Sequence, residues 1–375
     1  MKTRLSILCG GVIVAILFAT LWPFNPLPRN RVRWLPEVNG IEFDGPGLVM
    51  SKANLRVNGD EAGGSCTLEL FLQPASVESI HTIVGFYTPN TPTQLLIRQW
   101  TDGLLVLHAV VGGQHKIEAP KFDVDHSFHR GKLLLLTIAS GPNGTTVYLD
   151  GHEAQVFPRF KISQEDVSGQ IVMGTSPTEY EPWPGQIRGL AVYSRELASV
   201  DVYRHYRDWT NPGIPPDLDG AVARYAFNER GGREIHNEVA AGPDLEIPKN
   251  FSVPHKAILT SPVKEFEANR GYAEDVVQNI AGFVPLGFVV CIYLASTKSR
   301  QRAFLYTILA GGSLSLAIEI LQAYIPRRNS GTTDIITNTL GAAVGAAIAD
   351  SILVRRILTR IRLIPVEENP ALRKD

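Results

Sequence analysis

Apolar residues are distributed in two different ways along this chain. At both ends they form long continuous runs, and between the ends they come in short segments separated by turn residues. The first run is "MKTRLSILCGGVIVAILFATLWPF", in which Lys2 and Arg4 precede the apolar stretch. That stretch holds about eighteen mostly apolar residues, enough to cross a bilayer core of roughly 30 Å at ~1.5 Å per residue. A cleaved signal peptide has a shorter apolar region that ends in small residues. This run ends in "LWPF", which favours an uncleaved helix. Cys9 follows Leu8 inside a run that continues well beyond it, so it reads as packing and not as a lipoprotein site.

Three further runs lie towards the C-terminus: "VVQNIAGFVPLGFVVCIYLA" (276–295), "AFLYTILAGGSLSLAIEILQA" (303–323) and "IITNTLGAAVGAAIADSILV" (335–354). Each has the length of a membrane span. Gly311, Gly312 and Ser315, and the Gly341-x-x-x-Gly345 step, are small residues of the kind that let helices approach closely in lipid. The pattern predicts four transmembrane helices.

From about Val38 to Pro254 the period shortens. "TLELFLQP", "TIVGFY", "QLLIRQW", "LLVLHAVV", "KLLLLTIAS", "TTVYLDG", "QIVMGT" and "GQIRGLAVYS" read as strands, with "TDG", "GPNG" and "DGHE" as turns between them. Many short strands without intervening helices predict an antiparallel sandwich or jelly roll, inserted between helices 1 and 2. The expected organisation is helix 1 over 1–24, the jelly roll over 25–255, a linker over 256–274, a three-helix membrane part over 275–356 and a basic tail over 357–375.

A formal net charge of −1 gives no electrostatic reason to expect nucleic acid as a partner. Cys9, Cys66 and Cys291 make neither a disulfide framework nor a CxxC motif. Short flanks carrying Lys2, Arg4, Lys298, Arg300, Arg302, Arg355, Arg356, Arg360 and Arg362 place both termini in the cytoplasm and the jelly roll outside. Arg29, Arg31 and Arg33 head a long domain, which translocates largely regardless of charge. Arg327 and Arg328, in an outer loop, are an exception to the charge rule.

Polar residues inside the apolar runs are the main candidates for chemistry. Asp275 and Asn279 are spaced by four, Glu319 and Gln322 by three, and Asp334 and Asn338 by four, so each pair shares a helix face. All six fall near the outer ends of their spans. Asp275 and Asp334, read as helix-start residues, are explained by capping alone, and the amides by bonds between helices. Glu319 is not, because it lies near a helix C-terminus where the dipole disfavours an anion. An acid in hydrocarbon costs ~2.5–3.5 kcal/mol on insertion scales and ordinarily faces a partner inside the bundle, here Arg327 or Arg328. Three polar faces at one depth favour a site over three separate accidents.

These residues carry a family resemblance. "EDVVQNIAGFVPLGF" and "EILQAYIPRRNSGTTDIITNTLGAAVG" resemble the VanZ-like membrane family, with its pattern D-x-x-x-N…P-x-G, E-x-x-Q, R and D-x-x-x-N-x-x-G. The matching positions are Asp275, Asn279, Pro285, Gly287, Glu319, Gln322, Arg327 or Arg328, Asp334, Asn338 and Gly341. The resemblance covers the three C-terminal helices and extends to the first with its "WPFNP" end. Simpler members have a short loop where this chain has its β-rich insert. The family is associated with low-level resistance to glycopeptide antibiotics such as teicoplanin and with the bacterial cell envelope, without a settled activity.

The insert in turn resembles the laminin-G-like branch of the concanavalin A-like lectin/glucanase superfamily, through "IEFDGPGLVMS", "CTLELFLQP", "HRGKLLLLTIASGPNGTTVYLDG", "GQIVMGT" and "PWPGQIRGLAVYSREL". Retaining glucanases of that superfamily carry an E-x-D-x-x-E triplet, whose spacing by two sets nucleophile and acid on one strand face. Only Glu69 in "LELFL", and Glu42 with Asp44 in "IEFD", are present, so glycoside hydrolysis is not expected. The resemblance implies glycan binding, for which Trp100, Tyr180, Trp183 and Tyr193 are candidate platforms, although aromatic residues in a sandwich are more often core. It also allows calcium on the loop carboxylates Asp102, Asp123, Asp125 and Asp150, which are equally ordinary turn acids. His108, His126, His129 and His152 show no metal-ligand spacing.

Three readings of function follow. The first is an inner-membrane envelope protein whose jelly roll binds a polysaccharide. Its membrane acids engage a lipid or lipid-linked glycan, with Arg327 and Arg328 on the anionic headgroup. The second is a membrane enzyme using Glu319 and Asp334 as acid and base. The third is a scaffold whose polar faces hold the helices together.

Overall fold

The computed structural model describes residues 2–57, 64–89, 91, 93–110, 120–211, 213–240 and 242–360. The basic tail beyond 360, with Arg362, lies outside them. The chain divides into two compact units, Met1–Pro26 with Ala257–Asp375, and Leu27–Lys256. The first apolar run forms α1 (Lys2–Leu21) of the helical unit.

The second unit is an antiparallel sandwich. In chain order its strands are β1 (Val32–Trp34), β2 (Ile41–Phe43), β3 (Val49–Ser51), β4 (Cys66–Pro74), β5 (Ile80–Tyr87), β6 (Thr93–Trp100), β7 (Gly103–Val110) and β8 (Lys121–Val124). There follow β9 (Leu134–Gly141), β10 (Gly144–Leu149), β11 (His152–Phe157), β12 (Gln170–Met173), β13 (Gly185–Tyr193), β14 (Ala221–Tyr225), β15 (Glu234–Ile235) and β16 (Leu245–Glu246). One sheet runs β1-β2-β13-β4-β9-β10-β11 with β14 beside β13, and the other runs β15-β16-β3-β12-β5-β6-β7-β8. Side chains alternate between faces along a strand. Leu68, Leu70 and Leu72 of β4 therefore meet Ile83, Phe86, Leu95 and Ile97 of the opposite sheet in one buried core. Each fully buried Leu or Phe contributes about 1.5–3 kcal/mol of transfer free energy.

A helix interrupts the expected run of strands. α2 (Ser199–Thr210) follows β13 and lies on the outer face of the first sheet. Its sequence "SVDVYRHYRDWT" is strongly polar, which conceals an inward stripe of Val202, His205 and Trp209 at helical spacing. The stripe is met by Glu69, which is 0% exposed. His205 Nδ1 lies 2.9 Å from Glu69 Oε1, while Trp209 Nε1 donates to Oε2 at 2.9 Å and Tyr193 Oη donates to it at 3.2 Å. Arg224 stacks over the Trp209 ring at 4.2 Å. A buried carboxylate with these donors on both oxygens is a strong tether. It explains why β4 is buried on both faces.

The helical unit continues with α3 (Pro262–Glu265), α4 (Arg270–Ala295), α5 (Arg300–Ala323), α6 (Thr332–Asp350) and α7 (Ile352–Arg360). The run expected at 335–354 is not one straight helix, because α6 stops at Asp350 and α7 departs at 60°. Among the described residues α1, α4 and α5 are long and apolar enough to cross a membrane, and α6 qualifies only together with α7. α4 begins earlier than expected because Asn269 caps it, accepting from Tyr272 N–H at 2.8 Å. Asp275 is therefore an exposed second-turn residue and not a cap. α4 and α6 approach backbone to side-chain-free backbone at the glycines of α6. A Cβ at Gly341 would run into the carbonyl oxygen of Ile280, and one at Gly345 into that of Val284.

Candidate functional site

The polar residues of the helical unit converge on the beginning of α6. The first turn of any helix leaves backbone N–H groups without partners and carries a partial positive charge. Glu319, only 1% exposed, reaches this end from the last turns of α5, and its Oε2 accepts the Gly331 N–H at 2.8 Å. Glu265 of α3 reaches it from another side, accepting the Thr333 N–H at 3.0 Å. The Glu265 carboxylate fills the space where a side chain at 331 would stand, so a larger residue there would push Glu265 aside. Glu319 stands at the unfavourable end of its own helix and at the favourable end of the next one.

Asp334 does not cap α6, whose N-cap is Gly331. Its Oδ1 instead accepts from Asn279 Nδ2 at 2.8 Å, which links α6 to α4. Asn338 Nδ2 donates to Ser315 Oγ at 2.9 Å, which links α6 to α5. Gln322 Nε2 donates to the Thr20 carbonyl of α1 at 3.0 Å. The three polar faces read from the sequence are thus joined, but not as expected around arginine. Arg328 Nη2 donates to the Trp22 carbonyl at 2.9 Å, and the bonded partner of Glu319 is a backbone amide. Arg327 is exposed and Arg328 half-buried in the loop between α5 and α6. Sequence reasoning missed Glu265, which it left in a linker; Pro262 at the first position of a short helix is the signal that marked it.

The arrangement puts carboxylates at a helix end among apolar helices. Such groups can exchange protons, accept hydrogen bonds from hydroxyls or contact a cationic headgroup. Among the described residues no group of three or more His, Cys, Asp or Glu is set to hold a metal ion.

In the sandwich the candidate platforms separate by burial. Trp183 is 0% exposed, donates Nε1–H to Gln99 Oε1 at 2.7 Å and meets Phe43 edge-on at 6.1 Å. It belongs to the core and cannot face a glycan, and the same holds for Tyr193, tied to Glu69. Tyr180 is half-buried, edge-on to Phe251 at 5.7 Å. Trp100 is 46% exposed at the β6–β7 turn, opposite the equally exposed Ile80 of β5. Of the loop carboxylates, Asp102 pairs with His126 Nδ1 at 2.6 Å, and Asp150 accepts the Leu135 N–H at 2.9 Å. Asp123 and Asp125 lie at β8 and just after it. His108 stacks on Phe160 at 5.0 Å, and His152 stands 5.9 Å from Tyr203.

Two family models match. VanZ/LLP1 matches residues 231–354, and the concanavalin A-like lectin/glucanases superfamily matches residues 51–202. The chain joins a VanZ-like part to a concanavalin A-like part. With its apolar helices, the VanZ-like match marks a membrane protein. None of the curated proteins compared matches the chain. Among solved structures, a Bacteroides ovatus ATCC 8483 protein is similar at 13% identity, over 55% of this chain and 61% of that one, with a TM-score of 0.36. The chain thus spans less than two thirds of that protein. The CBM40 of a Ruminococcus gnavus IT-sialidase, bound to α2,3-sialyllactose, is similar at 11% identity over 44% of this chain and 95% of that one, TM-score 0.33. A SAP-like pentraxin of Limulus polyphemus is similar at 12% over 61% and 94%, TM-score 0.35. At this level none of them carries an argument about what this chain binds.

Proposed function

We propose that this is a bacterial envelope membrane protein whose concanavalin A-like domain binds a glycan and whose VanZ-like helices hold the headgroup of a lipid or lipid-linked glycan. Both termini are cytoplasmic in this reading and the sandwich is extracytoplasmic. The observation that carries it is the gathering of Glu319 and Glu265 at the start of α6, with Asp334 in its first turn. Buried acids among apolar helices are costly and ordinarily functional. Glu319, Glu265 and Asp334 would receive the hydroxyls or amine of the headgroup, and Arg327 and Arg328 its phosphate. In the sandwich, exposed Trp100 is one aromatic face open to a sugar ring. A role in glycopeptide resistance or polysaccharide export belongs to the same reading.

A second reading, acid–base catalysis at a lipid-linked substrate, is favoured by the carboxylates at one helix end, Glu319 with Asp334. Native mass spectrometry of the full chain released from detergent tests the first reading. Lipid adducts retained by the wild type are expected to be lost in Glu319→Gln. Identical adducts in both would refute headgroup binding at this site. Turnover of an added lipid-linked substrate, abolished by the same substitution, would select the second.

A further inference from the structure

The outward face of α2 is turned away from the Glu69 tether. Tyr203, Arg204 and Arg207 lie there, facing the segment from Ile214 to Asp217 across a groove of about 590 Å³. That volume lies within the roughly 300–1,000 Å³ typical of small-ligand sites. Its walls are joined by a partly exposed bridge. Arg204 Nη2 donates to Asp217 Oδ2 across the groove and to Asp201 Oδ1 on its own helix, both at 2.7 Å. The inner side of α2 is pinned by Glu69 through His205 and Trp209. A recognition surface on an anchored helix loses little order on binding.

Tyr203 is 48% exposed and backed by its own domain. The Gly151 turn of the β10–β11 hairpin packs against Tyr203 and Tyr206, and a Cβ at 151 would stand 3.3 Å from the Tyr203 ring. The ring therefore offers one open face; Arg207 stands one helical turn on, and Asp208 lies further round the helix on the same groove wall. The charges of the lining, two arginines and two aspartates, sum to zero, and one pair is already closed by the Arg204–Asp217 bridge. An anionic polymer finds no net attraction here. A neutral polyhydroxyl ring does find what it needs. An aromatic face packs on its C–H surface, and a planar guanidinium and a carboxylate serve as donor and acceptor for neighbouring hydroxyls.

We propose that this groove is a binding site for a neutral saccharide, with Tyr203 as the ring platform and Arg207 and Asp208 as the hydrogen-bonding arms. The proposal rests on the reading of the sandwich as a glycan module and names a site for it apart from Trp100.

The test uses the full chain in detergent against neutral oligosaccharides: gluco-, manno-, arabino- and chito-tetraoses, titrated by saturation-transfer NMR. Tyr203→Ala and Arg207→Ala, both at exposed positions, are expected to weaken at least one of these about tenfold, or ~1.4 kcal/mol. That same saccharide is expected to keep its affinity in Trp100→Ala. Unchanged thermal midpoints in the variants confirm that the fold is intact. If every bound saccharide keeps its affinity in Tyr203→Ala and Arg207→Ala, the groove is overturned while the glycan reading stands. If the wild type binds none of them and retains no acidic polysaccharide either, both fall. Retention of an acidic polysaccharide alone, or photocrosslinking from position 203 to a protein, would overturn the neutral-saccharide assignment.

Discussion

Glu319 Oε2 accepts the Gly331 N–H at 2.8 Å, so an acid at the end of α5 is held by the start of α6. This bond resolves the conflict that the position of Glu319 creates with its own helix dipole. It also separates two effects of mutation. Glu319→Gln keeps a carbonyl oxygen for the Gly331 amide but loses the charge. The folded yield and melting point in detergent are expected to stay near wild type while lipid retention is lost. Glu319→Leu leaves a buried N–H unpaired and is expected to cost about 1–3 kcal/mol. Equal melting points for the two variants would show that the bond carries no stability.

Gly345 offers a test of the α4–α6 contact, because what stands in its way is backbone and not a movable side chain. Gly345→Ala forces the helices apart and is expected to cost about 1–3 kcal/mol, the usual range for overpacking. Gly10, which has nothing within 4 Å of its added Cβ, is the control position. Thermal unfolding of both alanine variants in one detergent makes the comparison. A Gly345→Ala protein as stable as Gly10→Ala would mean that the two helices do not touch there.

The strands and long helices were legible in the sequence because each rests on a repeating apolar pattern. β4, β6, β9 and β13 stand where alternating or continuous apolar segments end in turn residues. Paired polar residues at helical spacing also made Glu319, Gln322, Asp334 and Asn338 visible, since hydrocarbon gives such residues no other reason to be there. What could not be read was partnership. Nothing local says that Glu319 meets Gly331, or that Glu265, 54 positions before it, arrives at the same helix end. Charge points to Arg327 and Arg328 as counterions, yet charge alone does not weigh the free amides of a helix terminus. α2 escaped because the residues it buries include His205 and Trp209, whose burial depends on Glu69 far away on β4. Trp183 was misread for the converse reason: its indole N–H finds Gln99, which makes complete burial affordable.

Glu69 is expected to be the most sensitive polar residue of the sandwich. Truncation to alanine leaves the donors of Tyr193, His205 and Trp209 buried without their acceptor. Leaving buried donors unsatisfied costs about 1–3 kcal/mol for each one. Because α2 depends on this tether, hydrogen exchange should report it locally. Amides of Val202–Trp209 are expected to lose protection in Glu69→Ala ahead of those in β9 and β10. Uniform loss over the whole sandwich would mean that Glu69 supports the core and not α2 in particular.

His126 and Asp102 form an exposed pair whose pH dependence follows from its geometry. The carboxylate, through its hydrogen bond at 2.6 Å and then its charge, raises the His126 pKa above its ordinary 6.5. The same bond lowers that of Asp102 below 3.8. The histidine contribution is complete below pH 6.5 and is lost as pH rises through the higher folded value. The aspartate contribution is complete above pH 3.8 and is lost as pH falls through the lower folded value. Both are therefore complete only between these limits, and the β6–β7 turn is held to the segment after β8 most firmly under mildly acidic conditions. NMR titration of the His126 ring is expected to give a midpoint above 6.5 that returns towards it in Asp102→Asn. A wild-type midpoint at 6.5 or below would show that the pair does not persist in solution, and high salt should narrow the difference between the two proteins because both partners face water.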